Sequence, residues 1–226
     1  MACSHLLTKG VRPKKKTVVT EVMTHAILKR IFDLVLGVSI LALFWPLLLL
    51  IGALIKLESK GPVLFMQDRI GKGGAVFRMY KFRTMVANAE HMGTGLCSFP
   101  GDPRVTRVGR YLRATSLDEL PQLYNVLMGS MSIVGPRPAV TYELGDYAIL
   151  PDHMKIRFRV NPGITGLAQV SGRNDLDWSQ KIALDNVYVE RFARLGVIED
   201  IAIAIRTIWV MLSMRNVVEQ SPQGGE

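Results

Sequence analysis

Hydrophobic and polar positions divide this chain into one long apolar block, a mixed middle and a second, shorter apolar block near the C-terminus. From Leu34 to Ile55 no charged residue occurs. At about 1.5 Å per residue a helix over that stretch would reach roughly 33 Å, close to the hydrocarbon thickness of a bilayer. Trp45-Pro46 sits at its midpoint; proline removes a backbone donor and clashes with the preceding turn, so a bend is expected there. Lys14, Lys15, Lys16, Lys29 and Arg30 precede the block, and Lys56, Lys60, Arg69 and Lys72 follow it. Flanks so evenly basic give no orientation to a span. They suit a helix-break-helix hairpin that re-enters the membrane, with a kinked spanning helix as the open alternative.

Past this block the period shortens. Gly61 to Met85 alternates turn residues with short apolar runs, Val63-Leu64-Phe65-Met66 and Val76 to Phe82, and reads as a β-hairpin. Gly71-Lys72-Gly73-Gly74 supplies its turn; no Gly-Lys-Ser/Thr ending follows, and the spacing misses the dinucleotide fingerprint. Ala87 to Gly101 is loop-like, and Asp102-Pro103 offers a cap and first turn for a helix. After the turn at Asn161-Pro162-Gly163, Ile164 to Val170 reads as a strand, Ser171 to Asn174 as a loop and Asp177 to Phe192 as a helix. Ile198 to Met214 is apolar but holds Glu199, Asp200 and Arg206, which fits an amphipathic helix at a membrane interface better than a second span.

Composition sharpens the picture in two ways. A mean hydropathy of +0.22 beside 21% charged residues means that the apolar residues are clustered, which points to a membrane. Lysine and arginine outnumber aspartate and glutamate by 28 to 19, so a polyanionic partner is expected: nucleic acid, anionic lipid or a phosphorylated substrate. Residues 1–23 read as a flexible basic arm, either solvated or touching anionic headgroups. The late apolar start, with no small-residue cleavage site, excludes a secretory signal. Cys3 and Cys97 are the only cysteines; they support neither a disulfide framework nor a thiolate zinc site, and a reducing cytosol is the expected setting.

Candidate chemistry gathers in the middle of the chain. Arg104, Arg107, Arg110 and Arg113 recur every three residues, so on one helix they would form a basic stripe, either a solvated face or a phosphate-binding one. The stripe leads into Ser116-Leu117-Asp118-Glu119-Leu120-Pro121-Gln122. Ser116 with Glu119 is a capping box on one reading, although Pro121 lacks the donor that a continuing helix would need. On the other, the arginines neutralise a diphosphate while a carboxylate attacks phosphorus or holds a divalent cation. Side chains of successive helical residues point about 100° apart, so Asp118 and Glu119 are expected to differ in role. Gly135-Pro136-Arg137-Pro138 is either a rigid bend or a device that presents one guanidinium to phosphate at low entropic cost.

Lys81-Phe82-Arg83-Thr84-Met85, Leu112-Arg113, Ser116 to Gln122, Met131 to Pro138, Pro162 to Gly166 and Gln169 to Asn174, in this order, resemble the bacterial sugar transferase family. These are the monotopic phosphoglycosyl transferases that begin the assembly of surface polysaccharides and other glycoconjugates. The resemblance implies that Asp118 is a nucleophile attacking the β-phosphorus of a UDP-sugar, releasing UMP and forming a phosphosugar ester that polyprenol (undecaprenyl) phosphate then accepts. Glu119 would be its partner in a catalytic dyad. Magnesium would be required, with Asp118 its leading contact. Arg113 and Arg137 match phosphate-binding arginines; Lys81, Arg83, Gln169 and Arg173 are further candidates for substrate contact. Trp45-Pro46 would mark the bend of a re-entrant helix, and the active site would face the cytoplasm from the inner membrane, among phospholipids. The expected architecture is an α+β, membrane-embedded monotopic fold: the arm 1–23, a re-entrant helix hairpin over 24–60, a catalytic region over 61–216 with a small β-hairpin and interfacial amphipathic helices, and a tail 217–226. A membrane-anchored nucleic-acid binder or scaffold is the rival reading. It lacks interleaved aromatics, since only Tyr111 lies within the stripe, so no nucleic acid is expected as partner.

Overall fold

The computed structural model of the protein describes residues 15–93, 99, 101–172 and 176–213. Helix α1 (Lys15–Glu58) stays helical through Trp45 and Pro46, so the break expected there is a proline within a helix and not a loop between two. Its first residue, Lys15, falls inside the stretch 1–23 expected as an arm. Residues 1–14, the tail 217–226, Arg173, Cys3 and Cys97 lie outside the described residues. Thr24–Glu58 is long and apolar enough to cross a membrane, and only 11% of its most apolar window is buried.

Both arms of α1 pack on the same body, while Ala42 to Pro46 between them is exposed throughout. In the first arm, buried Lys29 donates to the Val134 carbonyl at 2.9 Å and pairs with Asp200 at 2.6 Å. Arg30 donates to the carbonyls of Val126 and Leu127, at the C-terminal end of a helix where unpaired carbonyls gather. Asp33 accepts from the Ile133 amide and the Ser132 hydroxyl. In the second arm, Ile51 and Ile55 pack with Phe82 and Leu112. Glu58 then accepts the amides of Arg107 and Val108, satisfying two of the free donors that open α2 (Arg107–Thr115).

The hairpin forms as its alternation predicts: β1 (Leu64–Ile70) and β2 (Val76–Phe82) pair antiparallel from Leu64 opposite Phe82 to Ile70 opposite Val76. Gly73 and Gly74 take positive φ in the connecting turn. A short strand, β4 (Ala139–Val140), joins the free side of β1. On the other side, Asn125 of α3 (Gln122–Met128) covers the edge of β2, accepting from the Tyr80 amide and donating to the Arg78 carbonyl.

The strand expected over Ile164 to Val170 is much shorter. After the one-turn helix α4 (Asp152–Lys155), strand β5 (Gly163–Thr165) pairs in parallel with β3 (Ser132–Val134), and α5 (Leu167–Ser171) follows at once. The reason lies in two facing glycines: a β-carbon on Gly166 would sit 2.1 Å from the Gly135 carbonyl oxygen, and one on Gly163 would sit 2.1 Å from the Gly135 nitrogen. Backbone meets backbone here, which pins the segment after β3 against the turn before β5.

The helix expected from Asp177 is α6 (Trp178–Leu195), with Asp177 and Gln180 completing a capping box. The C-terminal amphipathic helix is α7 (Val197–Leu212). Its inward face carries Glu199, Asp200 and Ile203, while Ile198, Ile205, Ile208, Trp209 and Leu212 face outward. That is the reverse of a helix in a water-soluble protein. Val126, Met131, Val134, Tyr188 and Ile203 form the centre of the core between α1, α3, α6 and α7.

Candidate active site

The arginine stripe is not one surface. Thr106 caps α2 through the Gly109 amide, so the helix starts later than Asp102-Pro103 suggested. Asp102 instead accepts from the Arg104 guanidinium, whose hydrogen bonds hold its carboxyl below the usual range. Arg104 is buried and also donates to the carbonyls of Ala89 and Met92, tying down the preceding loop. Arg107 and Arg110 are exposed. Arg113, a turn further on, donates through Nε to the Thr84 hydroxyl at 2.9 Å.

Ser116 ends α2 in the left-handed region at φ 58°, its amide bonded to the carbonyls of Arg113 and Leu112. Outside glycine that conformation costs roughly 1–2 kcal/mol. It reverses the chain into a short 3₁₀ turn, Leu117–Glu119, on which Ser116 makes no side-chain cap, so the capping-box reading is replaced by a C-cap. Pro121 is accommodated because α3 starts afresh after it. The turn therefore delivers the two acids onto the hairpin in different directions.

Glu119 is the fixed member. Its Oε1 accepts from Lys81 Nζ of β2 at 2.8 Å and from Arg137 Nη2 at 3.0 Å. Burial disfavours its charge, but Lys81 and then Arg137 outweigh that and hold the carboxyl far below the ordinary glutamate range. Glu119 in turn raises the pKa of Arg137. Asp118 accepts no hydrogen bond among the described residues. Burial pushes its carboxyl up, opposed by Lys81, and the charge on Glu119 adds to the upward push, while Arg113 and Arg137 favour ionisation. Two adjacent carboxylates thus divide into one locked anion and one open, poorly solvated group.

Among the other residues singled out in the sequence, Arg137 is half exposed above Glu119 and able to meet a ligand. Arg83 is not in this cluster: it is buried, donating to the Lys60 carbonyl and to the carbonyl and hydroxyl of Ser59, where it staples the end of α1. Gln169 on α5 lies against Gly166, next to the Gly135 carbonyl, and its amide atoms are buried without a hydrogen-bond partner among the described residues. Three residues that local pattern did not reveal also converge on Arg137. Arg69 donates to the Pro138 carbonyl, and its pKa falls to about 10 through burial and then the nearby Arg137 charge. Arg157 donates to the Arg137 carbonyl. Lys181, partly buried on α6, is lowered by burial and by Arg137. The basic residues at the site thus come from β1, β2, α2, α6 and the loops flanking β4 and β5.

The family model for bacterial sugar transferases matches residues 24–214. The chain belongs to the bacterial sugar transferase family. It is 45% identical over 193 residues to a UDP-glucose:undecaprenyl-phosphate glucose-1-phosphate transferase of Caulobacter vibrioides, covering 83% of this chain and 71% of the relative. It is 40% identical to an undecaprenyl-phosphate galactose phosphotransferase of Salmonella typhimurium, over 82% of this chain and 40% of the relative. An Aeromonas hydrophila UDP-N-acetylgalactosamine-undecaprenyl-phosphate N-acetylgalactosaminephosphotransferase is 42% identical, over 84% and 44% respectively. The chain thus spans less than half the length of the latter two. Within this sugar transferase unit, α1 from Thr24 onward, the acid pair and Pro136-Arg137-Pro138 all fall inside the matched region.

The locked state of Glu119 has a pH signature. A carboxyl depressed in the fold contributes stability that is fully present above its unfolded pKa of about 4.3 and is lost as pH falls below it. Glu119→Gln should therefore lower the thermal midpoint at pH 7 and leave Lys81 and Arg137 facing one another. The gap between variant and wild type should narrow as pH is taken from about 5 towards 3, measured by thermal unfolding in detergent. A gap independent of pH would contradict the ionic origin.

Proposed function

We propose that this chain is a polyprenol-phosphate sugar-1-phosphate transferase, moving a sugar phosphate from a UDP-sugar to undecaprenyl phosphate and releasing UMP. The observation that carries this reading is the division of the acid pair: Asp118 open and desolvated, Glu119 clamped by Lys81 and Arg137. The donor and acceptor classes follow the names of the relatives, which differ in the sugar.

In this mechanism the Asp118 carboxylate attacks the β-phosphorus, forming an oxygen–phosphorus bond as the bond to the α-phosphate oxygen breaks. UMP departs with that electron pair, and no proton need move. A phosphate oxygen of the polyprenol then displaces Asp118, regenerating the carboxylate. A carboxylate raised in pKa by burial is a stronger nucleophile than a solvated one. Arg137 and Lys81 supply fixed positive charge where the transferring phosphate gains negative charge, with Arg113 contributing from α2. Glu119 keeps both cations in place and stays ionised throughout.

Magnesium fits this set in one way. Among the described residues no three acid, histidine or cysteine side chains are grouped to form a cage. A magnesium ion commonly uses one or two carboxylates and takes its remaining ligands from water and substrate phosphates. Asp118 would be its protein contact, and the ion would supply charge neutralisation at the diphosphate.

The same reading makes α1 re-entrant, with the catalytic body at the cytoplasmic face of the inner membrane. Its two arms pack on one body, its apex Ala42 to Pro46 is bare, and the outward face of α7 is apolar. These features suit a monotopic protein lying in one leaflet among phospholipids. The nucleic-acid alternative loses its main support, because Arg104 is buried against Asp102.

Two experiments test this function. Purified protein given UDP-glucose, UDP-galactose or UDP-N-acetylgalactosamine with magnesium and undecaprenyl phosphate should release UMP with at least one donor; release of UDP would point to direct glycosyl transfer. Asp118→Asn should lower turnover by roughly three orders of magnitude while keeping the wild-type fold. The acid limb of kcat/KM should lie above the ordinary aspartate value of about 3.9, since the protonated carboxyl cannot attack. For topology, single cysteines in place of Ala26 and Lys60, both exposed, should be shielded from a periplasmic thiol reagent in intact cells. Labelling of only one would establish a span.

A further inference from the structure

The three carbonyls of Pro136, Arg137 and Pro138 are each taken by a different part of the fold. Pro136 accepts from the Gly163 amide at 2.9 Å, Arg137 from Arg157 Nη2 at 2.5 Å and Pro138 from Arg69 Nη1 at 2.9 Å. Two of the three donors are guanidinium groups, although a neutral amide would satisfy a carbonyl equally well.

Arg157 is costly where it stands. It is almost completely buried, and its Nε and Nη1 find no hydrogen-bond partner among the described residues. Asp185, also buried, lies 2.9 Å from Nη2, close enough for an ion pair, yet neither of its oxygens accepts a hydrogen bond among the described residues. The Nη2 group is instead directed at the Arg137 carbonyl. The rings of Phe158 and Trp178 lie 5.5 Å and 5.4 Å from the guanidinium and hold it laterally. A buried cation with imperfect pairing destabilises a fold relative to apolar packing, so stability alone does not account for it. What it does achieve is to fix the peptide that carries the Arg137 side chain, with Arg69 doing the same one residue later.

We propose that Arg157, seated by Asp185 and the two rings, is a positioning residue that together with Arg69 sets the Arg137 guanidinium over Glu119 for the transferring phosphate. The two prolines limit the backbone torsions on either side of Arg137, and the two guanidinium groups fix the remaining peptide orientation. Their charges also add to the positive field at Arg137 without touching substrate. This inference rests on the phosphate-binding role of Arg137 given above.

A double-mutant cycle distinguishes positioning from general stabilisation. With the nucleotide sugar of the panel above that gives the fastest UMP release, Arg137→Gln should slow kcat/KM by about a hundredfold and Arg157→Gln by about tenfold. In the Arg137→Gln background, adding Arg157→Gln should cost less than about threefold, because the group it positions is gone. Hydrogen exchange gives a readout free of activity: the peptide covering 135–140 should exchange about tenfold faster in Arg157→Gln, while peptides from α3 keep wild-type protection. If Arg157→Gln does not fold, Arg157→Lys takes its place, keeping the charge but not the fork. Losses that multiply in the double variant, or unchanged exchange over 135–140, would overturn the positioning role and leave the proposed transferase intact. Wild-type turnover by Arg137→Gln would remove Arg137 from the site, and this inference with it.

Discussion

A carboxylate as largely enclosed as that of Glu119 keeps its charge because cations reach it, and here two do so from separate parts of the chain. Lys81 comes from the second strand of the hairpin and Arg137 from the proline-bounded bend. Satisfying that one charge draws together the hairpin, the 3₁₀ turn after α2 and the loop between β3 and β4. Removing Lys81, the more enclosed of the two partners, would leave the Glu119 charge poorly compensated. Asp118 inherits its character from the same constraint: because Glu119 takes Lys81 and Arg137 by direct hydrogen bonds, its neighbour feels them only at a distance.

A second buried ionic cluster joins this site to α1. Lys29 reaches Val134, Tyr188 and Asp200 at once, and Asp33 holds the amide of Ile133. Strand β3 ends at Val134, directly before Gly135-Pro136-Arg137. The helix proposed to lie in lipid thus holds all three residues of β3, and the arginine proposed to meet phosphate follows that strand directly. An acceptor with a lipid tail and a phosphate head would need this register between membrane depth and catalytic group. The apolar outward face of α7 is explained by the same cluster, since Asp200 must turn inward to meet Lys29.

Elements governed by local pattern were legible in the sequence. The alternation of residues 64–82 with its glycine turn gives the hairpin, and the helix expected over Asp177 to Phe192 forms as α6. The acid pair and Arg137 stood out through motif, and the structure brings them together with Lys81. Features set by distant partners were not legible. Arg104 and Arg113 look alike in a basic run, and only the fold buries the first against Asp102 and carries the second to Thr84. Arg83 follows Lys81 by two residues, yet it closes α1 instead of facing the acids. The shortness of β5 comes from Gly135, remote in sequence. Arg69 and Arg157 carry no local signal, because their targets are backbone carbonyls of another segment.

The central claim is that the open carboxylate of Asp118, and not the locked one of Glu119, forms a covalent bond to the transferring phosphate. Wild-type protein incubated with nucleotide sugar and magnesium but without polyprenol phosphate, then digested and analysed by mass spectrometry, tests it directly. One sugar-phosphate increment should appear on the peptide holding Asp118, fragment to that residue, and disappear when undecaprenyl phosphate is added. The increment on Glu119, or no increment while turnover with acceptor proceeds normally, would contradict the account.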